Sequence, residues 1–442
     1  MVFYFLLTDS PDGCLFFVRM KGDILLKGGQ IILPDGIRDG DILVRNGRIA
    51  AIGALDAPEE GRVLDLHGKW ISAGFADIHV HFREPGFTAK ETIRTGSEAA
   101  AAGGYTTVCA MPNLNPVPDC PEHLALEQEI IDRDAVIEVL PYCAITRGRA
   151  GRELVDMAAL KDRCCAFSDD GSGVQEEGMM RAAMALAARE DCILAAHCED
   201  NSLLRGGYIH DGRYCREHGH KGICSESEWG QIARDLRLCA ETGCRYHVCH
   251  ISTAESVELI RRAKAAGVRV TCETAPHYLV LCEDQLQEDG RFKMNPPLRS
   301  AADREALIGG LADGTIDAIA TDHAPHTAEE KSRGLQGSAM GIVGLEPAFP
   351  VLYTSLVRTG RIRLERLVEA LTEGPRRAFR LDGGLAVGQA ADLTVIDPEA
   401  EYAIDPSRFL SKGRSTPFEG MPVQGRILMT LKDGHIVYEY NS

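Results

Sequence analysis

YHVCHISTAESVELIRRAKAAGVRVTCETA, residues 246–275, decides the fold. It opens on an apolar run (246–252) and closes on another (268–275). Between them, 254–267 repeats its apolar residues at spacings of three and four and ends on Gly267. That spacing is the signature of an amphipathic helix stopped by glycine, and continuous apolar runs are those of strands buried on both faces. A strand–helix–strand unit of this length is the crossover of a parallel sheet. The same alternation extends outward to IHVHF (78–82), YTTVCAM (105–111), IEVLPYCAI (137–145), CCAFSDD (164–170), CILAAHC (192–198) and IDAIATD (316–322). The stretches 89–104 and 225–243 have helical spacing and also close on glycine. Eight apolar runs predict an α/β chain built on a (β/α)8 TIM barrel, with a doubly wound open sheet as the alternative.

Both chain ends read differently. Residues 22–55 and the segments 391–398 and 426–440 are short strands, with hairpin turns at Asn46-Gly47 and Asp433-Gly434. They predict a small β-sandwich assembled from both ends, 20–73 with 380–442, around a catalytic barrel over 74–379. Residues 1–19 read as an extension outside the fold. MVFYFLL is too short for a signal-peptide core with its flanks or for a membrane span, and Met20 reads as the more natural start.

A chain of 442 residues suits a barrel plus a smaller partner. Its 45% apolar and 26% charged content excludes a disordered or fibrous chain. Lys+Arg 48 against Asp+Glu 65 leaves −17, a field that repels nucleic acid. The fifteen cysteines lie largely in apolar runs and form no zinc-ribbon pair, which points to buried thiols in a reducing cytoplasm.

The chemistry sits at strand ends. His79 and His81 share a strand face because side chains alternate, so both imidazoles aim at one space at the carboxyl mouth of the barrel. His197, His250, Asp170 and Asp322 end four other apolar runs in the same way. Four histidines and two carboxylates exceed the needs of one ion and suit two divalent metals, with zinc first for an imidazole–carboxylate set without thiolate. Parity leaves Asp169 or Asp170 open, since only one of two adjacent residues can point inward. Of His247 and His250, the latter lies nearer the strand end and is the better ligand. His277 reads as either a supporting or a purely structural residue. His123, His210, His218, His220 and His435 read as peripheral. The polar, glycine-rich 327–341 reads as a lid.

The motifs HVHFREPG (79–86), MPN (111–113), FSDDG (167–171), HCED (197–200), CHIS (249–252), KMNPPLRS (293–300) and TDHAPH (321–326) resemble those of dihydroorotases, in particular the bacterial type I enzymes of the amidohydrolase superfamily. The resemblance spans roughly 22–440. It implies that His79 and His81 bind one metal, His197 and His250 the other, that Asp170 bridges, and that Asp322 touches the first metal and shuttles protons. Arg83, Asn113, His326 and Asn295 would hold the substrate. Many relatives bridge their metals with a carboxylated lysine on the fourth strand, where this chain has CCAFSDDG and no lysine. The implied reaction is the reversible hydrolysis of (S)-dihydroorotate to N-carbamoyl-L-aspartate, a step of pyrimidine synthesis. Two metals would acidify a shared water and polarise the amide oxygen. The alternatives are an allantoinase or dihydropyrimidinase-type cyclic amidase, which Arg83 argues against, and an inactive scaffold for aspartate carbamoyltransferase. The expected partners are a small-molecule substrate, a second copy in a homodimer and an aspartate carbamoyltransferase, without nucleic acid or membrane.

Overall fold

The structure is a computed structural model that describes residues 22–440, so the extension expected over 1–19 lies outside the described residues. The chain is α/β. Three strands, Phe75–Val80, Tyr105–Ala110 and Glu138–Pro141, pair in parallel, and four more, Ile193–Ala196, Arg245–Val248, Val270–Thr274 and Ala318–Ile319, form a second parallel set. Phe75–Val80, Tyr105–Ala110 and Ile193–Ala196 are buried at every residue, as crossover-covered strands require. Single parallel bridges link the sets. Cys143 pairs with Phe167 and Phe167 with Leu194 on one side, and Val80 pairs with His323 on the other. Thus the run 164–170 contributes through isolated bridges at Phe167 rather than as a regular strand, and 316–322 is regular only over Ala318–Ile319.

Helices follow the parallel strands where the spacing places them. Ala254–Ala265 is capped by Thr253, whose side chain accepts the Ser256 amide, and Glu226–Thr242 ends on Gly243 at φ 69°. The helix read over 89–104 begins only at Ile93, because Thr92 and Thr95 form a reciprocal cap. That leaves Lys90 and Glu91 in the preceding loop, where both bear on the site described below.

The two chain ends meet in one sheet of eight strands. Its seam is the antiparallel pairing of Trp70–Ala73 with Leu393–Ala403, in register Leu393 to Ala73. Trp70–Ala73 also pairs in parallel with Asp23–Leu33. Asn46-Gly47 (φ 51° and 76°) and Asp433-Gly434 (φ 50° and 73°) turn their hairpins in the left-handed region, the conformation of a type I′ turn. Ile24, Leu26, Ile42, Ile71, Leu393, Val395 and Leu431 fill one core on this sheet. Its carboxyl-terminal strands also reach the main core, where Thr430 Oγ1 donates to Ala101 O and Thr394 Oγ1 to Gly104 O. The sheet is therefore bonded directly to the helix that follows the His79 strand. The fourteen cysteines among the described residues are free.

Candidate active site and metal centre

Period-two alternation on Phe75–Val80 sends Asp77, His79 and the following His81 to one side, and all three are buried. Asp77 accepts the amides of His79 and Thr321, tying the first parallel strand to the approach of Asp322. His81 Nε2 lies 3.0 Å from Asp322 Oδ1, and His79 Nε2 lies 3.5 Å from Asp170 Oδ1 and 3.6 Å from Asp322 Oδ1. His250 Nε2 lies 3.7 Å from Asp170 Oδ1 and 3.0 Å from His197 Nδ1. The structure therefore gathers His79, His81, Asp170, His197, His250 and Asp322 in one buried space.

The adjacent carboxylates part ways. Asp170 enters the histidine cluster, while Asp169 accepts the amides of Ile145 (2.9 Å) and Thr146 (3.0 Å) and the Thr146 hydroxyl. His247 and His250 divide similarly: His247 contacts Thr271 Oγ1 at 2.8 Å and Glu273 at 3.1 Å, behind the cluster. His277 is fully buried with both ring nitrogens unpaired, and burial pushes its pKa down to about 4.

Two candidate ligand groups drawn from these six residues share His79, and His197 enters neither. His79, His81 and Asp322 form one and His79, Asp170 and His250 the other, each with its donor atoms within 4.8 Å of one another. His79 Nε2 and Asp170 Oδ1 are buried without a hydrogen-bond partner. Unpaired buried polar atoms cost about 1–3 kcal/mol each, and a divalent cation between them removes that cost. Burial opposes ionisation of Asp170, yet His79, His250 and His81 hold its carboxyl well below the usual range. Asp322 is likewise held low against burial, first by its hydrogen bond with His81. Anionic carboxylates among imidazoles form the donor set of zinc-class ions, so these residues fit such a centre.

Arg83 is buried at the rim. Its Nε donates to Pro325 O at 3.3 Å, and an Nη lies 3.4 Å from His326 Nε2. The neighbouring Glu84 turns away and accepts the Ile93 amide. His326 is pushed down to about 3 by burial and by Arg83 and Lys90, so it is neutral, and its Nε2 donates to Met340 O at 2.8 Å. The 327–341 segment is thus bonded through His326 to the rim where Arg83 lies. Asn113 Oδ1 accepts from His81 Nδ1 at 2.8 Å, and Asn295 Nδ2 donates to Glu199 Oε2 at 3.1 Å.

Three of these residues occupy left-handed backbone: Arg83 (φ 60°), His250 (φ 33°) and Asp322 (φ 48°). Such conformations cost about 1–3 kcal/mol and concentrate at functional sites. Glu273, Glu199 and Glu91 were not singled out from the sequence. Glu273 touches His79 and His247, Glu199 touches His197, and Glu91 contacts His323 and Ser411. A signal existed for Glu273, a lone carboxylate inside the apolar run VRVTCETA.

Residues 68–256 match the family described as Dihydro-orotase-like, and residues 238–438 match the Amidohydrolase family. A dihydroorotase of Geobacillus sp. (strain WCH70) is 53% identical, over 94% of this chain and 99% of its own. One from Bacillus cytotoxicus is 52% identical over 95% and 99%. Among solved structures, the L-hydantoinase (dihydropyrimidinase) of Arthrobacter aurescens superposes with a TM-score of 0.85 at 28% identity, covering 95% of this chain and 97% of that one. The dihydropyrimidinase of Brevibacillus agri NCHU1002 gives 0.83 at 22% identity, over 94% and 95%, a likeness of fold alone.

Proposed function

The chain belongs to the dihydroorotase family, and from that premise we propose that it hydrolyses (S)-dihydroorotate reversibly to N-carbamoyl-L-aspartate, a cyclic amide opening in pyrimidine synthesis. The observation that carries this reading is the buried arginine beside the gathered ligands. Arg83 brings a buried cation to the edge of the space that holds Asp170 and Asp322. A ring carboxylate needs that planar donor fork, and a neutral cyclic amide does not.

In hydrolysis, water oxygen adds to the ring amide carbon, the C–N bond breaks, carbon leaves as carboxylate and nitrogen takes a proton. Two divalent ions, zinc first among them, held by His79, His81, Asp170, His197, His250 and Asp322, would acidify that water and polarise the carbonyl. Of the two carboxylates, Asp322 lies nearer His81, its Oδ1 3.0 Å from Nε2. As an anion it accepts the proton of the attacking water and returns it to the leaving nitrogen. Ring closure runs the same proton path backwards. Arg83 and His326 hold the substrate carboxylate, and Asn113 and Asn295 flank the ring.

The proposed frame is a closed (β/α)8 barrel over 74–379 with a β-sandwich from both chain ends. It is supported by parallel bridges that join the two strand sets at Phe167 and at Val80–His323. Among the described residues no helix is long and apolar enough to cross a membrane.

Assaying dihydroorotate, allantoin and dihydrouracil side by side tests the substrate, and elemental analysis of the same protein tests the ions. Turnover of dihydroorotate with two bound ions is expected. Preference for a neutral ring, or full activity with one ion or fewer, overturns the reading. Arg83→Met is expected to weaken handling of dihydroorotate and N-carbamoyl-aspartate at least tenfold with the ions retained. Removing one partner of a buried charged hydrogen bond costs on the order of 2–5 kcal/mol. Normal kinetics in that variant would make Arg83 structural.

A further inference from the structure

Glu273 lies on Val270–Thr274, next to the strand Arg245–Val248 that leads to His250, and is completely buried. Its carboxylate is divided among three histidines. Oε1 accepts from His79 Nδ1 at 2.7 Å and from the His250 amide at 3.3 Å, and Oε2 meets His247 Nε2 at 3.1 Å. The outer ring nitrogen of His247 is itself held by Thr271 Oγ1 at 2.8 Å, on the same strand as Glu273. The bond at His79 Nδ1 decides where the proton of that ring sits. With Nδ1 donating outward, Nε2 is left facing Asp170 and Asp322 with its lone pair. The bond to the His250 amide acts on backbone, at a residue whose φ of 33° is not maintained without support.

We propose that Glu273 is the positioning residue of the metal centre, a single buried carboxylate that fixes the tautomer of His79 and the strained backbone of His250 together. The inference rests on the proposed reading of the cluster as a metal centre. His79 belongs to both of those groups and His250 to one of them, so Glu273 would act on each ion through a residue that holds it. Carboxylates behind ligating histidines commonly contribute tenfold to a hundredfold to metal affinity. One rival must be met. His79, Cys249 and Glu273 also bring donor atoms within 4.8 Å, which would make Glu273 a ligand of a further ion. His79 turns Nε2 toward Asp170 and Asp322 and Nδ1 toward Glu273, and a ring that ligates through Nε2 keeps its proton on Nδ1 for the carboxylate.

The test compares wild type with Glu273→Gln, which keeps the size and one acceptor but removes the charge, and with Glu273→Asp, which keeps the charge but shortens the reach. Chelator competition gives zinc affinity, elemental analysis gives stoichiometry, thermal melting of the metal-free proteins reports the fold, and the visible spectrum of the cobalt-loaded forms reports ligand orientation. A tenfold to hundredfold weaker zinc affinity for Glu273→Gln is expected, with an altered cobalt spectrum, unchanged stoichiometry and a metal-free melting temperature near wild type. Glu273→Asp is expected to fall between the two, and it carries the comparison should the glutamine variant not fold. Equal affinity and spectrum across the three proteins overturn the inference and leave the metal reading standing. An ion present in wild type and missing from Glu273→Gln makes Glu273 a ligand and also overturns it. Wild type that binds no divalent ion overturns both.

Discussion

Asp322→Asn is expected to keep its ions and lose about 10²–10⁴ in turnover, the range that general acid–base assistance supplies. Asparagine preserves the shape of the side chain and an oxygen for His81 Nε2, now 3.0 Å from Asp322 Oδ1. What it removes is the basic oxygen. The carboxylate is held below its usual pKa, with burial outweighed by the His81 hydrogen bond and neighbouring imidazoles. It is therefore ionised at neutral pH, with a lone pair free on each oxygen. Steady-state assay in both directions, with metal content measured on the same sample, separates loss of the base from loss of ions. Near-wild-type turnover would remove Asp322 from the proton path.

Asp170→Ala is expected to lose most of the bound metal and more than about a hundredfold of activity, a larger effect than losing a supporting partner of a ligand. Asp170 Oδ1 lies between His79 Nε2 at 3.5 Å, His250 Nε2 at 3.7 Å and His197 Nδ1 at 3.9 Å, so its removal affects donors at the ends of three strands at once. Asp169→Ala gives the contrast. That change leaves the Ile145 and Thr146 amides and the Thr146 hydroxyl without their acceptor, at about 1–3 kcal/mol for each unsatisfied group. It should lower the melting temperature while the ions remain. If Asp169→Ala empties the centre and Asp170→Ala does not, the two carboxylates have exchanged roles.

The sequence made His79 and His81 legible because strand alternation is a local rule, and one apolar run contains both. Asn46-Gly47 and Asp433-Gly434 were equally legible, since the turn type is decided by the two residues that make it. Choosing between Asp169 and Asp170 was beyond parity. The choice depends on the Ile145 and Thr146 amides, more than twenty residues away, being poised to take one of them. The helix start at Ile93 was missed because apolar spacing continues backwards past the cap at Thr92, and with it went the position of Glu91. That residue meets Ser411 from across 320 positions, a contact no local pattern announces. Glu273 was visible but had no assigned task, for its role exists only once three strands are neighbours. The left-handed backbone at Arg83, His250 and Asp322 left no mark in composition, as none of the three is glycine.

The seam between Trp70–Ala73 and Leu393–Ala403 has a bearing on how the chain is made. During synthesis, Trp70–Ala73 and His79 leave the ribosome long before the partner strand exists. Until roughly nine-tenths of the protein has been translated, the segment leading into the first histidine strand presents an open edge with unpaired backbone groups. Pairing between residues so distant in the chain is slow to form, and unpaired edges favour association between nascent chains. A ribosome stalled just before residue 393 would therefore release a polypeptide that carries His79, His81, His197 and His250 but lacks the strand that covers this edge, a natural client for chaperones and proteases.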